Sequence, residues 1–121
     1  MAIPESMPQT VALLDPAMVA ELEQAFEPGV LQRYQQAALA EADRAEESLR
    51  AAHGDVDATR QLAHRLRGTA ASLGLARLAH LATAIEKQAL AGSHDSVLVA
   101  NLAPVIAATR HILLDEHGPS S

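Results

Sequence analysis

The 121-residue chain contains no cysteine. Disulfides and thiolate metal sites are therefore excluded. It has no tryptophan, one phenylalanine and one tyrosine. A core without aromatic rings must be built from Leu, Ala, Val and Ile, and Ala and Leu are strong helix formers. Strand-favouring residues are sparse. Cations are also in the minority, with nine Lys and Arg against fifteen Asp and Glu and a formal net charge of −6. A general nucleic-acid binder needs a basic surface, so none is expected here, although one local basic patch on an acidic body remains compatible. No apolar run is expected to approach the roughly 20 residues of a membrane span. The opening MAIPESMPQT lacks the basic region and apolar run of a secretory signal. A cytoplasmic chain without direct membrane contact is the expectation. The phosphate loop GxxxxGK[ST], the nucleophile elbow GxSxG and the zinc motif HExxH are missing, which argues against an autonomous kinase or a hydrolase of those types.

What remains is a helix-forming composition. Hydrophobic residues make up 49%, enough to fold rather than stay disordered, and the length suits one domain. Residues 1–12, with Pro4 and Pro8, read as a flexible arm. Asp15-Pro16 is a helix start, with Asp as N-cap and Pro at the first helical position. Met18, Val19, Leu22 and Phe26 follow at helical spacing up to Pro28-Gly29. A second helix is predicted from Val30 to about Ala52, with Val30, Leu31, Tyr34, Ala38, Ala42, Ala45 and Leu49 inward and the acidic run from Glu41 to Glu47 in solvent. A third runs from a cap at Asp55 or Asp57 to about Leu73, and a fourth from Leu75 to about Leu90. A fifth is predicted from Asp95 or Ser96 to about Glu116, broken or kinked near Ala103 by Pro104. Residues 117–121 read as a disordered tail. Short connections favour antiparallel neighbours. The predicted fold is all-α: an antiparallel up-and-down four-helix bundle over residues 13–116, with a short additional N-terminal helix.

The third helix has two unlike faces. Each residue turns about 100°. With His64 at zero, Arg60, Gln61, Arg67, Gly68 and Ala71 fall within about 60° of it. Thr59, Leu62, Leu66, Thr69, Ala70 and Leu73 fall on the far side, which is apolar or small and must face the core. His64 is thereby turned outward. Beside it stand two arginines and then Gly68 and Ala71, where long surface side chains are the norm. A glycine inside a helix costs about 1 kcal/mol relative to alanine. That cost is explained if something must approach the imidazole closely. Arg67 then pairs with an anion delivered to the ring, and a phosphoryl group fits a nucleophilic imidazole. The plainer alternatives are an ordinary surface histidine and a glycine kept for helix packing.

The remaining histidines suggest no metal site. His80 lies beside the inward leucines of the fourth helix, either half-buried or facing the neighbourhood of His64, and a structural role is expected. His53, His94 and His117 sit at helix ends or turns, and His111 has no ligand partner one turn on. Glu86 follows the apolar stripe of the fourth helix and reads as a surface or inter-helix polar contact rather than an acid catalyst.

Residues Ala63-His64-Arg65-Leu66-Arg67-Gly68-Thr69-Ala70 resemble the signature of histidine-containing phosphotransfer (HPt) domains, roughly A-H-x-L-[K/R]-G-[S/T/A]-[A/S]. The likeness continues through Leu73-Gly74, Leu78 and Ile85-Glu86, with Gly54-Asp55 upstream, and covers residues 13–115. Arg67 stands where lysine is commoner, Ile85 replaces leucine, and Pro104 is unusual in the last helix. The resemblance implies a phosphoryl carrier, without an ATP site of its own, in a His-Asp phosphorelay. It takes the group from the aspartate of one receiver domain onto His64 and passes it to another. By the same resemblance Arg67 stabilises the phosphoryl group and Gly68 gives the partner access; Arg60, Gln61 and Ala71, on the same face of the helix, are the expected partner-binding residues. It implies no cofactor in this chain, the receiver bringing Mg²⁺. The chain is then either free-standing or a cytoplasmic domain of a membrane-bound hybrid sensor kinase.

Two rival readings place a histidine on a helical surface. One is a docking module that binds a receiver domain or an enzyme through the same face without phosphate chemistry, with Met18, Val19 and Phe26 extending the patch. The other is a kinase dimerisation segment, which requires a dimer of two-helix hairpins. One chain here supplies enough helices for a whole bundle, so a monomer is expected.

Overall fold

A computed structural model of the chain describes residues 11–116. The described residues are helical in six segments: α1 (Pro16–Ala25), α2 (Val30–Ala51), α3 (Val56–Ser72), α4 (Ala76–Leu90), α5 (Ser96–Ala100) and α6 (Leu102–Glu116). The tail expected at 117–121 and most of the arm expected at 1–12 lie outside them.

Helix ends follow from local chemistry. The Asp15 carboxylate accepts from the Met18 N–H at 3.2 Å, and Asp55 accepts from Ala58 at 3.0 Å. Asp95 accepts from both Val97 and Leu98. Each satisfies a donor that the first turn leaves orphaned. At the other end of α3, Gly74 adopts a φ of 76°. Gly74 N–H then bonds Ala71 O at 3.3 Å and Leu75 N–H bonds Ala70 O at 3.0 Å. This Schellman closure needs a left-handed residue, which glycine supplies without a Cβ penalty. It turns the chain sharply, so α3 and α4 form a tightly packed hairpin.

The break expected near Ala103 falls at Asn101, between α5 and α6. Pro104 has no N–H to give the carbonyl four residues earlier, and its ring crowds that carbonyl. The chain therefore stops at Ala100 and restarts so that Pro104 lies in the first turn of α6, where a missing N–H costs nothing. The expectation of no long apolar run needs correcting. Ser96–Leu114 spans 19 residues with a mean hydropathy of 1.7, long and apolar enough for a membrane span by composition alone. Leu98, Val99, Leu102, Val105, Ile106 and Leu113 of this stretch are buried in the protein core, which accounts for part of its apolar character, while Val97 and Leu114 are exposed.

The core is aliphatic, drawn from α2 (Leu39, Ala42, Leu49), α3 (Ala63, Leu66, Ala70), α4 (Leu78, Leu81, Ala82, Ile85) and α5–α6. Tyr34 is not in it: at 52% exposure it lies outside, its ring 5.5 Å from that of Phe26. Gln35 is the buried residue at this point of α2. Its side-chain amide donates to the Leu73 carbonyl at 3.2 Å, satisfying an acceptor that the end of α3 leaves open.

Helix α1 buries no residue completely. It is tied on by main-chain bonds. Asp15 N–H donates to Gly74 O at 2.9 Å and Arg77 N–H to Leu13 O at 3.4 Å, while the Arg77 guanidinium donates to Val11 O at 2.7 Å. Val11 and Ala12, assigned to the flexible arm, thus begin a strap anchored on the start of α4.

Candidate functional site

The rotation of α3 is set by Ala63, Leu66 and Ala70, all buried. Thr59 is buried with them and its hydroxyl donates to Asp55 O at 2.9 Å. Leu62, Thr69 and Leu73 are only partly buried at the margin. With this face held inward, the His64 side chain is 60% exposed.

The imidazole is nonetheless fixed. Its Nδ1 lies 2.8 Å from Glu86 Oε2. The other carboxylate oxygen of Glu86 accepts from Arg67 Nε at 2.9 Å. Glu86 is 13% exposed and so largely shielded where it bridges α3 and α4. An Arg67 terminal nitrogen also lies 2.9 Å from His64 Nδ1. Both neighbours cannot bond Nδ1 in the same way. An arginine only donates and a carboxylate only accepts. If Nδ1 accepted a hydrogen bond from Arg67, its lone pair would occupy that bond and leave Glu86 Oε2 facing a nitrogen with no hydrogen. With the proton on Nδ1, the bond to the Glu86 carboxylate is charge-assisted, and the Arg67 N–H that points at the same nitrogen finds no acceptor there. We assign the Nδ1–H tautomer on this ground. The lone pair is then on Nε2, the nitrogen not bound to Glu86.

The four flanking residues are of two kinds. Arg60 and Gln61 both donate to Asp57, at 3.1 Å each, and so are held in place beside the face. Ala71 is exposed and small. Gly68 is exposed, and a Cβ built on it meets no atom within 4 Å. Internal packing therefore gives no reason for glycine at this position, in contrast to Gly74, whose Cβ would come within 2.8 Å of Val19 Cγ2.

The structure thus brings His64, Arg67 and Gly68 together as expected, with Arg60, Gln61 and Ala71 on the same side of α3. His80 is exposed on α4 rather than half-buried among the leucines. Glu86 is an inter-helix contact, as read, but it belongs to the site and sequence reasoning did not place it there. A signal existed. In a hairpin that turns at Leu75, residues equally far from the turn lie level with one another. His64 is eleven residues before Leu75 and Glu86 eleven after it.

A model of the Hpt domain family matches residues 5–114 of the chain. No curated protein and no solved structure gives a significant match.

Proposed function

Because the chain belongs to the Hpt domain family, whose members are phosphocarrier modules of two-component phosphorelays, we propose that His64 takes a phosphoryl group from the aspartate of one receiver domain and hands it to another. Hpt domains interact with receivers in such relays. The observation that most supports this assignment to His64 is an exposed imidazole whose Nδ1 lies 2.8 Å from Glu86 Oε2; with the tautomer assigned above, Nε2 is the nucleophile.

In the transfer step, the Nε2 lone pair attacks the phosphorus of the receiver's aspartyl phosphate. An N–P bond forms, the P–O bond to the aspartate breaks, and the aspartate leaves as a carboxylate. His64 keeps its Nδ1 proton and becomes a phospho-imidazolium. Glu86 balances the ring's new positive charge, and the N–H donors of Arg67 not engaged by Glu86 meet the phosphoryl oxygens. The smooth surface at Gly68 and Ala71 admits the receiver, while Arg60 and Gln61 border the contact. The chain needs no metal for this step, since the Mg²⁺ is the receiver's. We read α2, α3, α4 and α6 as an antiparallel up-and-down bundle acting as a cytoplasmic monomer.

The test mixes the protein and its His64→Gln variant with receiver domains phosphorylated on aspartate in the presence of Mg²⁺. Acid-labile, alkali-stable label on the wild type alone is the expected result. Tight binding to a receiver with no transfer to either form overturns the carrier reading and favours a docking module.

A further inference from the structure

Two histidines that the transfer step does not use meet at one end of the molecule. His53 lies in the turn between α2 and α3, and His94 in the turn before α5. Their rings stand edge to face with centroids 4.9 Å apart and planes at 69°. The His94 ring is oriented by its Nε2, which lies 2.9 Å from the Leu49 carbonyl oxygen. A carbonyl only accepts, so Nε2 carries the hydrogen and the neutral ring's lone pair is on Nδ1. That Nδ1 is buried and has no hydrogen-bond partner. A buried acceptor without a partner is costly and rare.

This pattern is that of a metal-ligating imidazole. Such a ring donates its far N–H to a backbone carbonyl or carboxylate, which sets its tautomer and aims the near lone pair at the ion. Two imidazole nitrogens at about 2.0–2.1 Å from one tetrahedral ion hold their ring centroids about 5 Å apart, so the pair is near enough to share an ion once the His53 ring turns from its edge-to-face position. His53 is exposed, so its ring can reorient toward a shared ion without disturbing the core.

We propose that His53 and His94 form a two-imidazole site for a borderline divalent cation of the zinc or nickel class, clipping the α2–α3 turn to the α4–α5 turn. Imidazole nitrogen suits these ions. No group of three or more His, Cys, Asp or Glu side chains gathers as a metal site among the described residues, so water completes the coordination. The site is separate from His64 and plays no part in phosphoryl transfer.

The experiment titrates the untagged full chain with zinc chloride alone and follows the imidazole resonances by NMR and the melting temperature. The His53 and His94 signals are expected to shift first and saturate at one ion per chain, with a rise in Tm. His53→Gln and His94→Gln are each expected to weaken binding at least about tenfold, the lower end of the loss seen on disturbing metal-site residues. His80→Gln and His111→Gln are expected to leave it unchanged. Zinc shifting other imidazoles ahead of this pair, or binding His53→Gln as tightly as the wild type, overturns the site. His53 is exposed, so its variant decides the question even if His94→Gln loses helix content by circular dichroism.

Discussion

Replacing Gly68 with alanine is expected to make the protein more stable and a poorer partner for receivers. The stability change follows from two observations. Gly68 lies inside α3, and a Cβ there meets no atom within 4 Å. Helix propensity therefore acts without an opposing clash. Glycine is about 0.8–1.0 kcal/mol less favourable than alanine in a helix interior, so the gain is about 1 kcal/mol. For a domain of this size that corresponds to a rise in Tm of roughly 3–5 °C. Gly68→Gln is expected to gain about half as much, since glutamine ranks between the two, but it projects a long side chain over the face beside His64.

Two phosphoryl donors separate the causes. A small donor such as phosphoramidate needs only the Nε2 lone pair. A receiver domain must bring its whole surface against α3. Gly68→Gln is expected to label on His64 normally from phosphoramidate, while transfer from a phosphorylated receiver falls at least about tenfold, equivalent to about 1.4 kcal/mol. Gly68→Ala shows a smaller loss of the same kind. Receiver transfer at the wild-type rate in Gly68→Gln would refute the access argument. A lower Tm in Gly68→Ala would refute the claim that nothing inside the protein requires this glycine.

Gly74→Ala is expected to act in the opposite direction. A left-handed φ of 76° costs a non-glycine residue about 1–2 kcal/mol, and the new Cβ would lie 2.8 Å from Val19 Cγ2. Urea unfolding is expected to show a loss of about 2 kcal/mol or more, with faster amide exchange in α1. Asp55→Ala removes the cap of α3 and is expected to cost about 1 kcal/mol in the same assay. Glu86→Gln leaves one oxygen to accept from Nδ1–H, removes the negative charge and sets an NH2 against the Arg67 Nε donor. With His64 well exposed, the charge-assisted part of that bond is worth only about 1 kcal/mol. Transfer is expected to slow several-fold to about tenfold with helix content unchanged, and an unchanged rate would remove Glu86 from the mechanism.

Much of the fold was legible because helix ends are local events. Asp15-Pro16, Asp55 and Gly74 each act on residues within one turn, so a linear reading finds them. The errors lie where a distant residue decides. Tyr34 and Gln35 are neighbours on the edge of the same apolar stripe, and composition favours the tyrosine for the core. Buried Gln35 donates its amide to the Leu73 carbonyl, 38 residues away, while Tyr34 packs on Phe26. The Pro104 break was placed two residues late because the proline acts on the carbonyl four residues before it. At the site, the face of α3 could be derived from helical periodicity. Glu86 could not, since its partners are 22 and 19 residues away. The pairing of His53 with His94 was missed for the same reason: each was read at its own turn, and the fold joins the turns.

The Glu86 contact also bears on how one site can both accept and release a phosphoryl group. The incoming step requires a neutral imidazole with a free Nε2 lone pair, and the Nδ1–H···Glu86 bond selects that tautomer. The outgoing step requires the ring to leave phosphorus without the electrons of the N–P bond being held as an anion. A ring protonated on Nδ1 departs as a neutral imidazole, a far better leaving group than imidazolate. Glu86 holds that proton in both states, so no proton has to be fetched or shed between the two transfers. Arg67 is bound to the same carboxylate, so the group that faces the phosphoryl oxygens is positioned by the group that sets the tautomer. In the proposed relay one carboxylate at the edge of the core thus serves the transfer onto His64 and the transfer off it alike.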